Sequence, residues 1–166
     1  MGREVRMVPA DWVHPRDGFY ANGDVRYVSL HDGRDFAGRL ADWESEAAKW
    51  NAGEYPSYAS EENKSMSYIE WAGDRPEPSD YMPQWPESER THLMMYETTS
   101  EGSPISPAFE TPEELARWLA DTGASSFGRS TASYEAWLRV ARGGYAPSAV
   151  IIGNGEMQSG VEGLTS

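Results

Sequence analysis

Residues 91–123 read THLMMYETTSEGSPISPAFETPEELARWLADTG and predict a strand followed closely by a helix. In residues 91–98, alternate side chains such as Met94 and Tyr96 fall on one face, which is the two-residue period of a β-strand. Pro104 and Pro107 then keep the chain extended and end the strand. A strand and a helix joined by one loop are the first indication of a mixed α and β fold.

The helix in this stretch has clear start and stop signals. Thr111 is placed as the N-cap, Pro112 occupies the first helical position, and Glu114 completes a capping box. Gly123 supplies the stop. The stripe expected to be buried consists of Leu115, Trp118 and Leu119.

Two further segments have helical periodicity. Residues 35–51 carry apolar side chains at spacings of four and three, with Asp35 as the expected N-cap and Gly53 as the stop. Residues 131–142 repeat the pattern and end at Gly143-Gly144. The stripe of the first helix consists of Phe36, Leu40, Trp43, Ala47 and Trp50.

Short strands are predicted near both ends of the chain. Asn22-Gly23 is a typical type I′ turn and predicts a hairpin within the turn-rich residues 1–34. Residues 148–152 predict another strand. We therefore expect one α+β domain over residues 1–166, in which a small antiparallel sheet of the hairpin, the 91–98 strand and the 148–152 strand is packed by about three helices.

Residues 54–90 predict a long irregular segment that is rich in aromatic residues. Five prolines interrupt it, and only residues 65–73 predict a short helix. We expect a loop with this many aromatic side chains to be packed rather than disordered. Its six aromatic residues are Tyr55, Tyr58, Tyr68, Trp71, Tyr81 and Trp85.

The charge of the chain is concentrated in its middle half. The formal net charge is −13, and residues 40–121 hold 18 acidic against 5 basic residues, whereas residues 1–39 and 122–166 are each neutral. Such a region repels nucleic-acid phosphates and attracts basic surfaces, so direct nucleic-acid binding is not expected. High solubility alone is the competing interpretation of this charge.

The sequence offers little for catalysis or cofactor binding. It has no cysteine, and His14, His31 and His92 lack metal-ligand spacing. The glycines of residues 153–160 lack the lysine of a phosphate loop, and no apolar run is long enough to span a bilayer. We therefore expect no cofactor, no metal site, no membrane association and no enzymatic activity. In the alternative of an enzyme, His14 and His92 are the acid-base candidates, although a packed structural role is favoured for both.

Three blocks of the sequence resemble small proteins encoded by bacteriophages and prophages. They are REVRMVPADWVHP (3–15), MMYETTSEGSPISPAFETPEELARWLADTGASSFG (94–128), and TASYEAWL with GGYAPSAV within 131–150. Together they cover roughly half of the chain. The resemblance implies a phage origin and an intracellular setting in the bacterial host, and it supplies no catalytic residues.

Phage origin and acidity together suggest an inhibitor of a host complex. We expect a partner with a basic surface, such as a CRISPR effector or a restriction enzyme, whose nucleic-acid site the carboxylates would occupy by mimicking phosphates. The expected acidic contacts are Glu44, Glu46, Glu54, Glu61, Glu62, Glu70, Asp74, Glu77, Asp80, Glu87 and Glu89. The alternative is a phage accessory protein that binds a partner without mimicry through aromatic anchors. Those anchors would be Tyr55, Tyr58, Trp71, Tyr81 and Trp85.

Overall fold

A computed structural model describes residues 2–99, 102–151 and 157–163 and shows an α+β fold, as the sequence predicts. Eight strands and six α-helices, together with three short 3-10 turns, are assigned within those residues. In chain order they are β1 (Gly2–Val8), β2 (Arg16–Phe19), β3 (Val25–Tyr27), α1 (Phe36–Asn51), α2 (Glu61–Lys64), α3 (Tyr68–Ala72), β4 (His92–Glu97), β5 (Ser103–Pro104), α4 (Pro112–Asp121), α5 (Tyr134–Gly143), β6 (Tyr145–Pro147), β7 (Ala149–Ile151), β8 (Met157–Ser159) and α6 (Gly160–Gly163).

Contacts between residues divide the chain into two compact units. The first unit comprises residues 1–30 and 85–166, and the second comprises residues 31–84. A single domain over the whole chain therefore stays a prediction. No helix in the described part of the chain combines the length and the apolar character needed to cross a bilayer.

The first unit is built on a four-stranded antiparallel sheet with the order β5-β4-β1-β6. Its two central strands, β1 and β4, pair along six residues, with Val5 opposite Met95. On the other edge of β1, Arg3 lies opposite Ala146 of β6. A small antiparallel sheet packed against helices was expected, but of its four strands only β4 was predicted to belong to it.

The central strand β1 was not predicted, because its buried positions carry charges. Arg3 and Arg6 are only 3% and 6% exposed. The Arg3 side chain donates to the Ser125 carbonyl at 2.9 Å, and Arg6 donates to the Leu30 carbonyl at 2.6 Å. Arginines are rarely buried unless they are paired. Because two of them occupy buried positions here, the strand lacks the alternation of hydrophobic and polar residues by which a strand is predicted.

The predicted N-terminal hairpin forms, but it stands apart from the main sheet. Strands β2 and β3 make a separate two-stranded sheet. The Gly23 amide donates to the Tyr20 carbonyl, so Ala21 and Asn22 are the central residues of the turn. The expected two-residue turn at Asn22-Gly23 is therefore wrong. Gly23 follows the turn with φ of +91°, as glycine does in longer hairpin loops.

The predicted strand at 148–152 is also placed differently. Strand β7 pairs with β8, whereas β6 is the strand that joins the main sheet. Residue 152 lies outside the described residues. The Gly144 N–H donates to the Val140 carbonyl at the end of α5, and its φ of +85° lets β6 start at the next residue.

Helices α4 and α5 cover one face of the sheet. The capping box of Thr111 and Glu114 opens α4 as predicted, while Ser133 caps α5. Trp137 is fully buried at the centre of this core, and Trp118 packs against the core while half exposed. The other core side chains include Leu93, Met95, Leu115, Leu119, Val140 and Val161.

The second unit contains α1, which forms over the predicted residues, and two shorter helices. The expected N-cap is wrong, because the Asp35 side chain makes no capping hydrogen bond, and Asp32 instead accepts from the Arg34 N–H at the 3-10 turn that leads into α1. Ser60 and Ser67 cap α2 and α3, each within a capping box. The helix predicted within residues 65–73 is α3, whereas α2 was not predicted. Residues 54–84 are thus more regular than expected, because serine caps start helices too short to show periodicity.

Gly102 offers a test of the packing beside β1. A Cβ at this position would lie 1.9 Å from the Leu30 carbonyl oxygen, whereas a Cβ at Gly23 would meet nothing within 4 Å. Both glycines have positive φ, so both alanine variants are strained. We expect Gly102→Ala to lower the free energy of unfolding by about 1 to 3 kcal/mol more than Gly23→Ala, because only the former also forces the backbone to shift. Urea unfolding of both variants measures the difference, and equal losses would contradict the close approach of Gly102 to Leu30.

Candidate functional sites

The aromatic side chains of the second unit form a cluster around Trp50. Trp50 is buried and stacks on Trp71 with ring centroids 5.1 Å apart. Tyr55 meets the Trp50 ring edge-on at 4.8 Å, and the Trp50 indole N–H donates to the Met66 carbonyl at 3.0 Å. Tyr55 and Trp71, both predicted as partner contacts, are therefore half-buried parts of this small core.

The other predicted anchors have different surroundings. Tyr58 is 79% exposed, and its ring lies 6.2 Å from that of Trp71. Tyr81 is only 6% exposed and packs between His31 and Phe36, so its role is structural. Trp85 belongs to the first unit, where its half-buried ring meets Trp12. Only Tyr58 presents most of its ring to solvent.

All eleven predicted acidic contacts are exposed, but they differ in their partners. Arg75 pairs with Glu44 at 2.6 Å and lies 4.0 Å from Glu77. Lys49 pairs with Glu46, and Lys64 pairs with Glu61. These four carboxylates are already partly neutralised, which reduces what they can contribute to the attraction of a basic partner.

Two further carboxylates have structural roles. Glu70 accepts from the backbone N–H and the hydroxyl of Ser67, and these hydrogen bonds lower the pKa of the Glu70 carboxyl. Asp80 accepts from the Glu77 N–H at 3.3 Å. Of the eleven predicted contacts, five have carboxylates that make no ion pair or hydrogen bond to another described residue: Glu54, Glu62 and Asp74 in the second unit, and Glu87 and Glu89 in the first.

A cavity in the first unit was not predicted from the sequence. Its volume is about 560 Å³, within the range of sites for small molecules. Segments 10–16 and 104–108 form its sides, together with Tyr27, Met94 and Trp118. These residues are distant in sequence and follow no chemical motif, so only the fold reveals the cavity.

His14 lines this cavity and is tied into a buried hydrogen-bond chain. Its Nε2 lies 2.6 Å from the Val28 carbonyl, which can only accept, so Nε2 carries the hydrogen. In the neutral ring, Nδ1 accepts from the Tyr96 hydroxyl at 3.2 Å, for which Met94 Sδ at 3.4 Å is the weaker competing acceptor. Trp12 donates its indole N–H to the same hydroxyl oxygen. This chain fits a neutral imidazole, as expected for a packed histidine.

The electrostatic surroundings also favour neutral groups in this chain. Burial lowers the pKa of His14, the hydrogen bond to Val28 opposes that shift, and the positive charge of Arg6 adds to it. Burial raises the pKa of Tyr96 to about 12, so its hydroxyl keeps the proton that it donates. No carboxylate of the described residues lines the cavity beside His14.

His92, the second acid-base candidate, is half-buried on β4. Its Nδ1 lies 2.9 Å from the Thr91 hydroxyl. Within the described residues, no three acidic or histidine side chains gather as they would to hold a metal ion. His14 is thus a buried, hydrogen-bonded side chain, and His92 is a half-buried side chain on β4.

Acid should destabilise the first unit through His14. Because the folded pKa lies below the ordinary 6.5, the unfolded chain binds more protons between those two values, and stability falls as the pH drops through that window. In His14→Gln, whose amide can also donate and accept, this part of the pH dependence should disappear. Urea unfolding from pH about 7.5 to about 5 tests this. An equal loss of stability in both proteins would contradict the assignment.

The aromatic cluster predicts a contrast between two aromatic residues of the second unit. Trp50→Ala should lower the free energy of unfolding by about 3 to 5 kcal/mol, because a buried ring leaves a cavity. Tyr58→Ala should cost less than about 0.5 kcal/mol, since its ring is largely in water. Denaturant unfolding distinguishes them, and a similar cost for both would mean that Tyr58 belongs to the core.

Comparison with known proteins yields no relative. No family model, no curated protein and no solved structure matches the chain. The resemblance to phage-encoded proteins therefore stays a prediction from the sequence. The support for a function comes from the exposed groups of the second unit and from the cavity of the first.

Proposed function

We propose that the chain is a phage-encoded protein whose second unit binds a basic surface on a host nucleic-acid-handling or defence complex. The observation that carries this proposal is a set of exposed groups on residues 31–84. Glu54, Glu62 and Asp74 make no ion pair within the described residues, and Tyr58 lies near the first two in sequence with its ring in solvent. Exposed carboxylates without ion pairs, together with an exposed aromatic ring, suit a basic protein surface.

The charge balance of the second unit supports a basic partner. It contains twelve acidic and five basic residues. Such an excess attracts cationic surfaces and repels nucleic acid, so the inhibitor would act on the protein component of the complex. In the mechanism that we propose, these carboxylates occupy the nucleic-acid site of a CRISPR or restriction enzyme in the cytoplasm of the host and so inhibit it.

The exposed ring of Tyr58 favours a second candidate function, an accessory protein that binds without mimicry. The ring is 79% exposed, and its centroid lies 6.2 Å from that of Trp71, which itself stacks on buried Trp50. An exposed aromatic ring can be buried in a pocket of a partner, as interface anchors are. In this alternative the carboxylates attract and orient the approaching partner, and burial of the aromatic ring provides most of the binding free energy.

Salt and matched variants distinguish the two functions. Tagged protein is mixed with bacterial host lysate at about 50 mM salt and washed at about 500 mM, where exposed charge pairs are screened. Mimicry predicts capture of a nucleic-acid-binding complex at low salt, its loss at high salt, and displacement of nucleic acid from that complex by the added protein. Aromatic anchoring predicts capture that survives the high-salt wash.

The mimicry function predicts that a charge-neutralising triple variant weakens binding. Glu54→Gln/Glu62→Gln/Asp74→Asn should lower the affinity for the captured partner roughly tenfold at low salt, since three charge contacts are lost. The control Asp11→Asn/Glu110→Gln/Asp121→Asn changes the net charge equally at exposed sites of the first unit and should bind normally. Titration calorimetry measures the affinity of both triple variants for the partner. Equal weakening would mean that only the net charge of the protein matters, which would contradict the proposed surface. If Tyr58→Ala alone weakened binding, the accessory function through an aromatic anchor would be favoured.

A further inference from the structure

The cavity of the first unit has a chemical character that differs from that of the rest of the chain. Although the protein carries a net charge of −13, no carboxylate is found among the described residues that line this cavity. Among the described residues of its lining, Arg16 alone is charged; it is exposed, and its side chain makes no ion pair or hydrogen bond to another described residue. The charge that a ligand meets in the described lining is thus positive.

The walls of the cavity are mainly flat and apolar. Trp12, Tyr27 and Trp118 contribute aromatic rings, and Met94 contributes a thioether. Aromatic faces pack well against other flat groups, and methionine adapts to their shape. A ligand that packs well against these side chains therefore has a planar apolar portion.

The polar groups inside the cavity are mostly satisfied by the protein. Both His14 nitrogens and the Trp12 indole N–H are used in the Tyr96 chain. The Ser106 hydroxyl accepts from the Met95 N–H and donates to the Pro107 carbonyl. A ligand with polar groups along its whole length would leave them unpaired here, at a cost in affinity.

The side-chain polar groups of the lining that remain are hydrogen-bond donors. Besides Arg16, the Tyr27 hydroxyl and the Trp118 indole N–H make no hydrogen bond to another described residue. Guanidinium and indole groups can only donate, and a hydroxyl can do so. A ligand group that satisfies them must accept, and a carboxylate also matches the charge of the guanidinium.

From these observations we propose that the cavity binds a small amphipathic anion, a planar aromatic body carrying one carboxylate. The body lies between the aromatic rings and Met94, and the carboxylate meets Arg16. This site is independent of the partner surface proposed for residues 31–84, because every residue of its lining belongs to the first unit.

Three probes of one shape test the class of ligand. Naphthoate, naphthamide and naphthylmethylammonium share a planar body and differ in charge. They are titrated into the full-length protein, and binding is followed in proton–nitrogen correlation spectra through the indole N–H resonances of Trp12 and Trp118. We expect these resonances to shift with naphthoate, with the affinity decreasing from anion to neutral to cation. No shift with naphthoate, or an equally tight cation, would overturn the proposal.

Two variants then locate the site. Arg16→Gln should weaken naphthoate binding about two- to fivefold, to the level of naphthamide, as loss of one exposed charge contact does. Arg129→Gln removes an exposed arginine outside the lining and should change nothing. Ala108→Leu, which narrows the cavity, should weaken binding of all three probes while the melting temperature holds. Unchanged naphthoate affinity in both Arg16→Gln and Ala108→Leu would place binding elsewhere and overturn the proposal.

Discussion

The pairing of β1 with β4 is the constraint on which the first unit depends. The two strands lie about ninety residues apart in the chain, yet they form the centre of the sheet along six paired positions. On one face of β4, Leu93 and Met95 pack in the core with the helices. On the other face, Met94 lines the cavity and the Tyr96 hydroxyl contacts His14. Because alternate residues of a strand point to opposite faces, a shift of one residue would exchange core and cavity.

The second unit is organised by one buried tryptophan rather than by a sheet. Short helices and loops of residues 54–72 surround Trp50, and two of the predicted anchors, Tyr55 and Trp71, pack against it instead of facing a partner. What remains for a partner is the exposed ring of Tyr58 and the carboxylates without ion pairs. The proposed binding surface therefore contains fewer residues than the acidic and aromatic composition of the segment suggested, and only a few carboxylates provide its charge.

Local signals predicted much of this fold, whereas long-range contacts escaped prediction. The capping box at Thr111 and the stripe ending at Trp50 determine α4 and α1 within one stretch of chain, so both were predicted. Strand β1 was missed because Arg3 and Arg6 occupy buried positions whose partners, Ser125 and Leu30, are far along the sequence. The acidic residues of the candidate surface were found by composition, but which of them are paired depends on Arg75, Lys49 and Lys64 in three dimensions. The cavity has no sequence signature, since residues far apart in the sequence line it.

Hydrogen exchange of the chain with and without its captured partner tests the central claim, that residues 31–84 form the contact surface. Mass spectrometry of the digested protein would follow exchange segment by segment. The account predicts added protection in the segments that contain Glu54, Tyr58, Glu62 and Asp74, with the loops around the cavity unchanged. Protection confined to residues 10–16 and 104–108 would contradict it, because the partner would then occupy the first unit.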